Sequence, residues 1–356
     1  MRATEGGWRK LLRPLTLACV FGCAGLAVTD EEAAFFKAVR PWGFILFGRN
    51  VGAPDQVRSL VAALRAAADR PDAPVMIDQE GGRVRRLRPP HWRAYPPARA
   101  YGAAGRDGAT AQDLAWLGGR LMAEDLVRLG VNINCAPVLD VPALDGHEII
   151  GDRAFGATAD QITPLARAMA EGLLAGGVLP VIKHMPGHGR AREDSHVQLP
   201  VVEASRAELA ATDLRPFVAL SDMPIAMTAH VVYTAIDADR PCTTSAAVIS
   251  ELIRGEIGFD GLLIGDDLSM SALAGTLGER AAASLDAGCD LVLHCNGDLE
   301  EMKVVAANAR ELTGLSAGRA AAAFARLGGP VDQWDGRQLA DAANAFQAAF
   351  DQVSSR

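Results

Sequence analysis

Val181-Ile182-Lys183-His184-Met185-Pro186-Gly187-His188-Gly189 is the stretch that decides how this chain folds. A short apolar run passes without a spacer into a polar, glycine-bearing loop, and three of the seven histidines (His184, His188 and His196) fall within 13 residues. Such a loop is costly to order and does nothing for a core, so it reads as a carrier of chemistry at the end of a buried strand. The same kind of apolar run recurs at Leu17 to Gly22, Phe44 to Phe47, Val75 to Ile77, Val131 to Val138, Ile225 to Met227, Leu262 to Ile264 and Leu291 to Leu293, which makes eight with Val181-Ile182. Helix-like segments lie between them, at Gln56 to Arg70, Ala109 to Leu129, Asp160 to Ala175, Ala207 to Leu220, Ala246 to Ile257 and Glu279 to Ala287, each with apolar residues three and four apart. Strands that are continuously apolar are buried on both faces, which requires a parallel sheet covered by helices. Eight such units predict an α/β protein, a (β/α)8 barrel of the TIM type, with two or three further helices from about Leu299.

The barrel gives the polar residues a common address. Asp78 follows the third run, Asp140 the fourth, Lys183 and His184 the fifth, His230 the sixth, Asp266 and Asp267 the seventh, and His294 the eighth. All of these converge on the rim where such barrels build active sites.

The 356 residues, 49% hydrophobic and 22% charged, are enough for a sizeable core. No linker or low-complexity stretch divides them, so one catalytic domain is expected over residues 15–356, with residues 1–14 as an N-terminal extension. Arg9, Lys10 and Arg13 ahead of Leu15 to Val28 mimic a secretory signal, but Leu17-Ala18-Cys19-Val20-Phe21 reads as the first buried strand. Thr29-Asp30-Glu31-Glu32 then reads as a helix N-cap with an acidic first turn. A net charge of -8 without a basic stripe argues against a nucleic-acid partner, and no segment is long and apolar enough to span a membrane. Cys19, Cys23, Cys135, Cys242, Cys289 and Cys295 are scattered, several in or beside apolar runs, as buried free thiols in a reducing compartment would be.

Three motifs carry a resemblance to a known family. Ile77-Asp78-Gln79-Glu80-Gly81-Gly82-Arg83-Val84, the Lys183 to His196 segment with its Asp194-Ser195-His196, and Asp266-Asp267-Leu268-Ser269-Met270 together resemble family 3 glycoside hydrolases. The similarity is to the single-domain bacterial β-N-acetylhexosaminidases, and it spans roughly residues 17 to 300. The resemblance implies that Asp266 is the nucleophile that forms a covalent glycosyl-enzyme. It implies His196 as general acid and base, with Asp194 orienting it. Residues two apart on an extended loop project to one side, and imidazole titrates where it can both give and take a proton, so the pairing is chemically sensible. By resemblance, substrate binding falls to Asp78, Arg86, Arg153, Lys183 and His184. Arg83, Arg85 and Arg88 flank Arg86, so the resemblance alone singles it out. His188 reads as a loop-shaping residue, and Met185 and Met270 as packing.

The expected activity is that of a cytoplasmic, retaining exo-β-N-acetylglucosaminidase. It would release terminal N-acetylglucosamine from muropeptide fragments during peptidoglycan recycling, without metal or organic cofactor. A β-glucosidase or glycoside phosphorylase of the same family is the near alternative, although the chain ends too soon for a second domain supplying a carboxylic acid. A metal-dependent barrel hydrolase could in principle use His184, His188, Asp194 and His196. Their intervals of four, six and two fit no familiar zinc spacing, and such a site would leave Asp266 without a task.

Overall fold

A computed structural model describes residues 16–104, 110–144, 146–195, 197–328 and 334–354. The expected extension of residues 1–14 and the expected helix start at Ala109 lie outside these.

Eight parallel strands close into a barrel. They are β1 (Leu17–Phe21), β2 (Pro41–Leu46), β3 (Val75–Ile77), β4 (Ile133–Asn134), β5 (Leu179–Met185), β7 (Ile225–Thr228), β10 (Leu262–Asp267) and β11 (Leu291–His294). The intervening β6 (Val201–Val202), β8 (Val232–Tyr233) and β9 (Asp237–Pro241) form a small separate sheet. Closure is made by β1 against β11, with Cys19 opposite Val292 and Phe21 opposite His294. The expected (β/α)8 barrel is therefore what the chain forms. Among the described residues, no helix is long and apolar enough to cross a membrane. All six cysteines are buried and unpaired.

Helices α1 (Asp30–Val39), α2 (Pro54–Ala67), α3 (Ala98–Ala104), α4 (Ala111–Val127), α5 (Ala159–Ala175), α6 (Arg206–Ala211), α7 (Leu214–Ala219), α8 (Leu277–Ala287) and α9 (Leu299–Asn308) lie between or after the strands, followed by α10 (Gly314–Ala325) and α11 (Gly336–Ser354). The Thr29 cap forms as read: the Thr29 hydroxyl accepts from Glu32 N, and the Glu32 carboxylate accepts from Thr29 N at 2.9 Å.

Two helical readings need correction. Ala207 to Leu220 is broken into α6 and α7, because Pro216 has no N–H to continue the ladder and the Thr212 hydroxyl turns to Asp213 Oδ2 at 2.6 Å. Ala246 to Ile257 winds as a π-helix over Val248–Glu256. Its buried Val248, Ile249, Leu252 and Ile253 fall on one face under either winding, so apolar spacing does not separate the two.

Contact between α4 and α5 is backbone against backbone. A Cβ on Gly172 would sit 2.1 Å from the Trp116 carbonyl oxygen, and one on Gly119 2.2 Å from that of Met169. Only glycine permits this approach. Gly172→Ala should therefore destabilise the fold by about 1–3 kcal/mol, the usual cost of overpacking, read as a lower urea midpoint at unchanged slope. An unchanged midpoint would mean that the helices separate freely.

Candidate active site

The site begins with how the chain leaves β3. Asn134 pairs with the backbone of Gln79, accepting from its N–H and donating to its carbonyl, both at 3.0 Å. The Gln79 side chain then accepts from the N–H groups of Arg86 and Leu87, each at 3.0 Å. That folds the loop back on itself and brings Arg86 over Asp78. Gly81 makes the return possible, since its φ is +104° and a Cβ there would lie 2.2 Å from the Pro96 carbonyl oxygen.

A network of buried charge results. Lys183 donates to Asp78 Oδ1 at 3.0 Å and lies 2.6 Å from Glu80 Oε1. Asp78 Oδ2 accepts from Arg86 at 2.9 Å, and Glu80 takes Arg153 in a fork of two 2.8 Å bonds. The Arg86 guanidinium also lies over the Phe47 ring, 4.8 Å from its centroid. Burial by itself would push the Glu80 carboxyl up, but Arg153 and then Lys183 outweigh it and hold Glu80 well below the usual range. Asp78 is likewise held low by Lys183 and Arg86 against its burial. Lys183, disfavoured as a cation by burial, is held above its ordinary value by Glu80 and Asp78.

Asp140, with no exposed surface, is a second anchor. It accepts His184 Nδ1–H at 2.7 Å, the His184 N–H at 3.2 Å and the His188 N–H at 2.6 Å. In neutral His184 the proton therefore sits on Nδ1, leaving the Nε2 lone pair to face Arg153 Nη2 at 3.4 Å.

At the end of β10 two adjacent carboxylates differ in employment. Asp267 Oδ1 accepts from Cys295 N and Ser269 N at 3.1 and 3.2 Å, and its Oδ2 accepts the Ser269 hydroxyl at 2.5 Å. Asp266 has one bond among the described residues, accepting from Asp267 N at 2.8 Å. Burial would raise the Asp266 carboxyl, but His230, His184, the Asp267 N–H and Lys183, in that order, bring it below its usual range. Below Asp266, His230 Nε2–H donates to the Asp267 carbonyl at 3.0 Å, and its Nδ1 lies 2.7 Å from the Thr243 hydroxyl.

Asp78, Arg86, Arg153, Lys183, His184 and Asp266 line a single cavity of about 330 Å³. That is the small end of ligand pockets, a size for one sugar ring rather than a long oligomer. Asp194 does not line it, though its carbonyl accepts from Val197 N at 2.9 Å and Gln198 N at 3.0 Å. His196 lies outside the described residues. Among those described, no three His, Cys, Asp or Glu side chains gather closely enough to hold a metal ion.

Residues 16–327 match the glycosyl hydrolase family 3 N-terminal domain. The chain belongs to that family. A β-hexosaminidase of Alkalilimnicola ehrlichii is 41% identical over 290 residues, which are 80% of this chain and 81% of that one. One from Methylococcus capsulatus is 42% identical over 282 residues, 78% of this chain and 82% of its own. The crystal structure of native NagZ from Neisseria gonorrhoeae superposes with a TM-score of 0.81 at 31% identity, covering 96% of this chain and 98% of that one.

Sequence reading of this family 3 hydrolase missed Glu80 as a partner of the binding residues. Its position two residues after Asp78 on an extended chain, hence on the same side, was the available signal. The sequence puts Asp140 and His230 on the rim without a task, and the structure gives them positioning bonds. Because the folded Glu80 carboxyl is depressed, its contribution is fully present above the ordinary 4.5 and is lost as pH falls toward the lower folded value. Glu80→Gln should cost about 3 kcal/mol at pH 7, with the gap from the parent narrowing below pH 4.5. A gap that stays constant from neutral to strongly acidic pH would show that Glu80 is not the charged partner of Lys183 and Arg153.

Proposed function

We propose that this family 3 hydrolase is a retaining exo-β-N-acetylglucosaminidase that removes terminal N-acetylglucosamine from peptidoglycan fragments in the cytoplasm. The supporting observation is the Asp266 carboxylate. It faces a sugar-sized cavity with one N–H donor among the described residues, while the other carboxylates at the rim are committed to partners. Relatives named β-hexosaminidase support the choice of sugar over the β-glucosidase alternative.

In this reading one catalytic domain over residues 15–356 carries every group. Asp78, Arg86, Arg153, Lys183 and His184 hold the sugar hydroxyls and N-acetyl group, since paired donors and acceptors strongly reject a ligand that leaves them unmatched. One Asp266 oxygen attacks the anomeric carbon as the bond to the aglycone oxygen breaks, and His196, oriented by Asp194, gives that oxygen its proton. Water then attacks the anomeric carbon, its proton passes to His196, and the Asp266 carboxylate leaves.

Asp266→Ala should remove nearly all turnover, whereas Asp267→Ala should retain a measurable fraction, because only one carboxylate stands in line with the anomeric carbon. The reverse order in steady-state assays would move the nucleophile to Asp267. The N-acetyl-β-glucosaminide should be cleaved far faster than the matching β-glucoside, and EDTA should leave the rate unchanged. Equal rates would favour the glucosidase, and zinc-restorable loss on chelation would revive metal-dependent chemistry.

A further inference from the structure

One buried titratable group of the cavity has no part in the reaction as described so far. His188 is 4% exposed and lines the same cavity as Asp266. Burial, then the neighbouring His184, pushes its imidazole down to about 4, so it is neutral at neutral pH. Its backbone is fixed on Asp140, and its Nε2 lies 3.1 Å from the hydroxyl of Ser195, while Nδ1 has no hydrogen-bond partner among the described residues. Ser195 is itself buried, and its carbonyl accepts from Ala272 N at 3.2 Å, on the segment that follows Asp266.

The chain on either side of Arg192 and Glu193 is tied down at both ends. Upstream, the Gly189 carbonyl accepts from Ala143 N at 2.9 Å, that of Ala191 accepts from His147 N at 2.7 Å, and Arg190 is held by Asp213 at 2.7 Å. Downstream, the Ser195 hydroxyl meets His188, its carbonyl accepts from Ala272 N, and the Asp194 carbonyl accepts from Val197 N at 2.9 Å and Gln198 N at 3.0 Å. Ser195 stands between Asp194 and His196 in sequence, the two residues to which the acid/base step is proposed to fall.

We propose that His188 is a positioning residue: through Ser195 it supports the acid/base step proposed for the adjoining Asp194 and His196. The inference rests on the reading of His196 as that acid/base. A neutral imidazole suits the task, because it orients a hydroxyl without placing a second charge beside the nucleophile.

The test compares kcat/KM for an alkyl aglycone with that for a dinitrophenyl aglycone, which departs without protonation, in Ser195→Ala, His188→Phe, their double variant and His196→Ala. Ser195→Ala and His188→Phe should each lose ~10- to 100-fold on the alkyl aglycone, the scale of a catalytic group displaced by about 1 Å, and less than ~3-fold on the dinitrophenyl one. The double variant should be no worse than the worse single one, and Ser195→Thr and His188→Gln should recover most of the loss. Equal losses on both aglycones, or multiplicative losses in the double variant, would overturn the inference and leave His188 a packing residue. Ser195→Ala still tests it if His188→Phe does not fold. Selective loss in His196→Ala without any in Ser195→Ala would sink the positioning role alone. No selectivity in His196→Ala would sink the acid/base reading and this inference with it.

Discussion

The site depends on the placement of one buried cation. Lys183, its side chain 3% exposed at the end of β5, reaches two carboxylates that belong to the turn after β3. An ammonium in that position is tolerable only if both partners arrive, because a buried charge without its counter-ion costs several kcal/mol. The turn that delivers them is shaped by Gln79, Asn134 and Gly81, and Arg153 and Arg86 then complete what Glu80 and Asp78 leave open. Four separate stretches of chain are thereby locked to one another around a cavity, with their polar atoms oriented before a sugar enters. Preorganisation of this kind avoids ordering costs at the moment of binding.

Most of the barrel could be read in the sequence because a doubly buried strand leaves a strong signal, a run without polar residues. The signal fails where function enters the strand. The fifth run reads as Val181-Ile182, yet β5 extends from Leu179 to Met185 and contains Lys183 and His184, whose burial is offset by Asp78, Glu80 and Asp140 rather than by apolar neighbours. For the same reason β10 reaches Asp266 and Asp267, and β11 includes His294. The fourth run errs the other way: Val131 to Val138 is apolar throughout much of its length, but regular pairing is confined to Ile133–Asn134 and a single bridge from Val138 to Lys183. Strands as short as β6 and β8 have no periodicity to detect. Tyr233 of β8 nonetheless braces the histidine loop, donating its hydroxyl to the Gly187 carbonyl at 2.7 Å.

The candidate site was legible in a different measure. Six residues that the family resemblance pointed to line one cavity, while the groups that hold them were largely invisible to motif reading. Asp140 and His230 contribute through bonds to other residues, and such roles follow from tertiary distance rather than from spacing along the chain. The pair at the end of β10 illustrates the gain from coordinates. Composition makes Asp266 and Asp267 equivalent and both line the cavity, whereas hydrogen bonding separates a carboxylate closing a turn on Ser269 and Cys295 from one that takes a single N–H among the described residues.

The proposed chemistry stands on a covalent bond between the sugar and one of these oxygens. Incubation with an activated 5-fluoro N-acetylglucosaminyl donor, followed by proteolysis and peptide mass mapping, reads that bond directly. The account expects a single added glycosyl mass, located on Asp266. A label on Asp267, or turnover of the natural linkage by an enzyme that never accumulates any label, would contradict it.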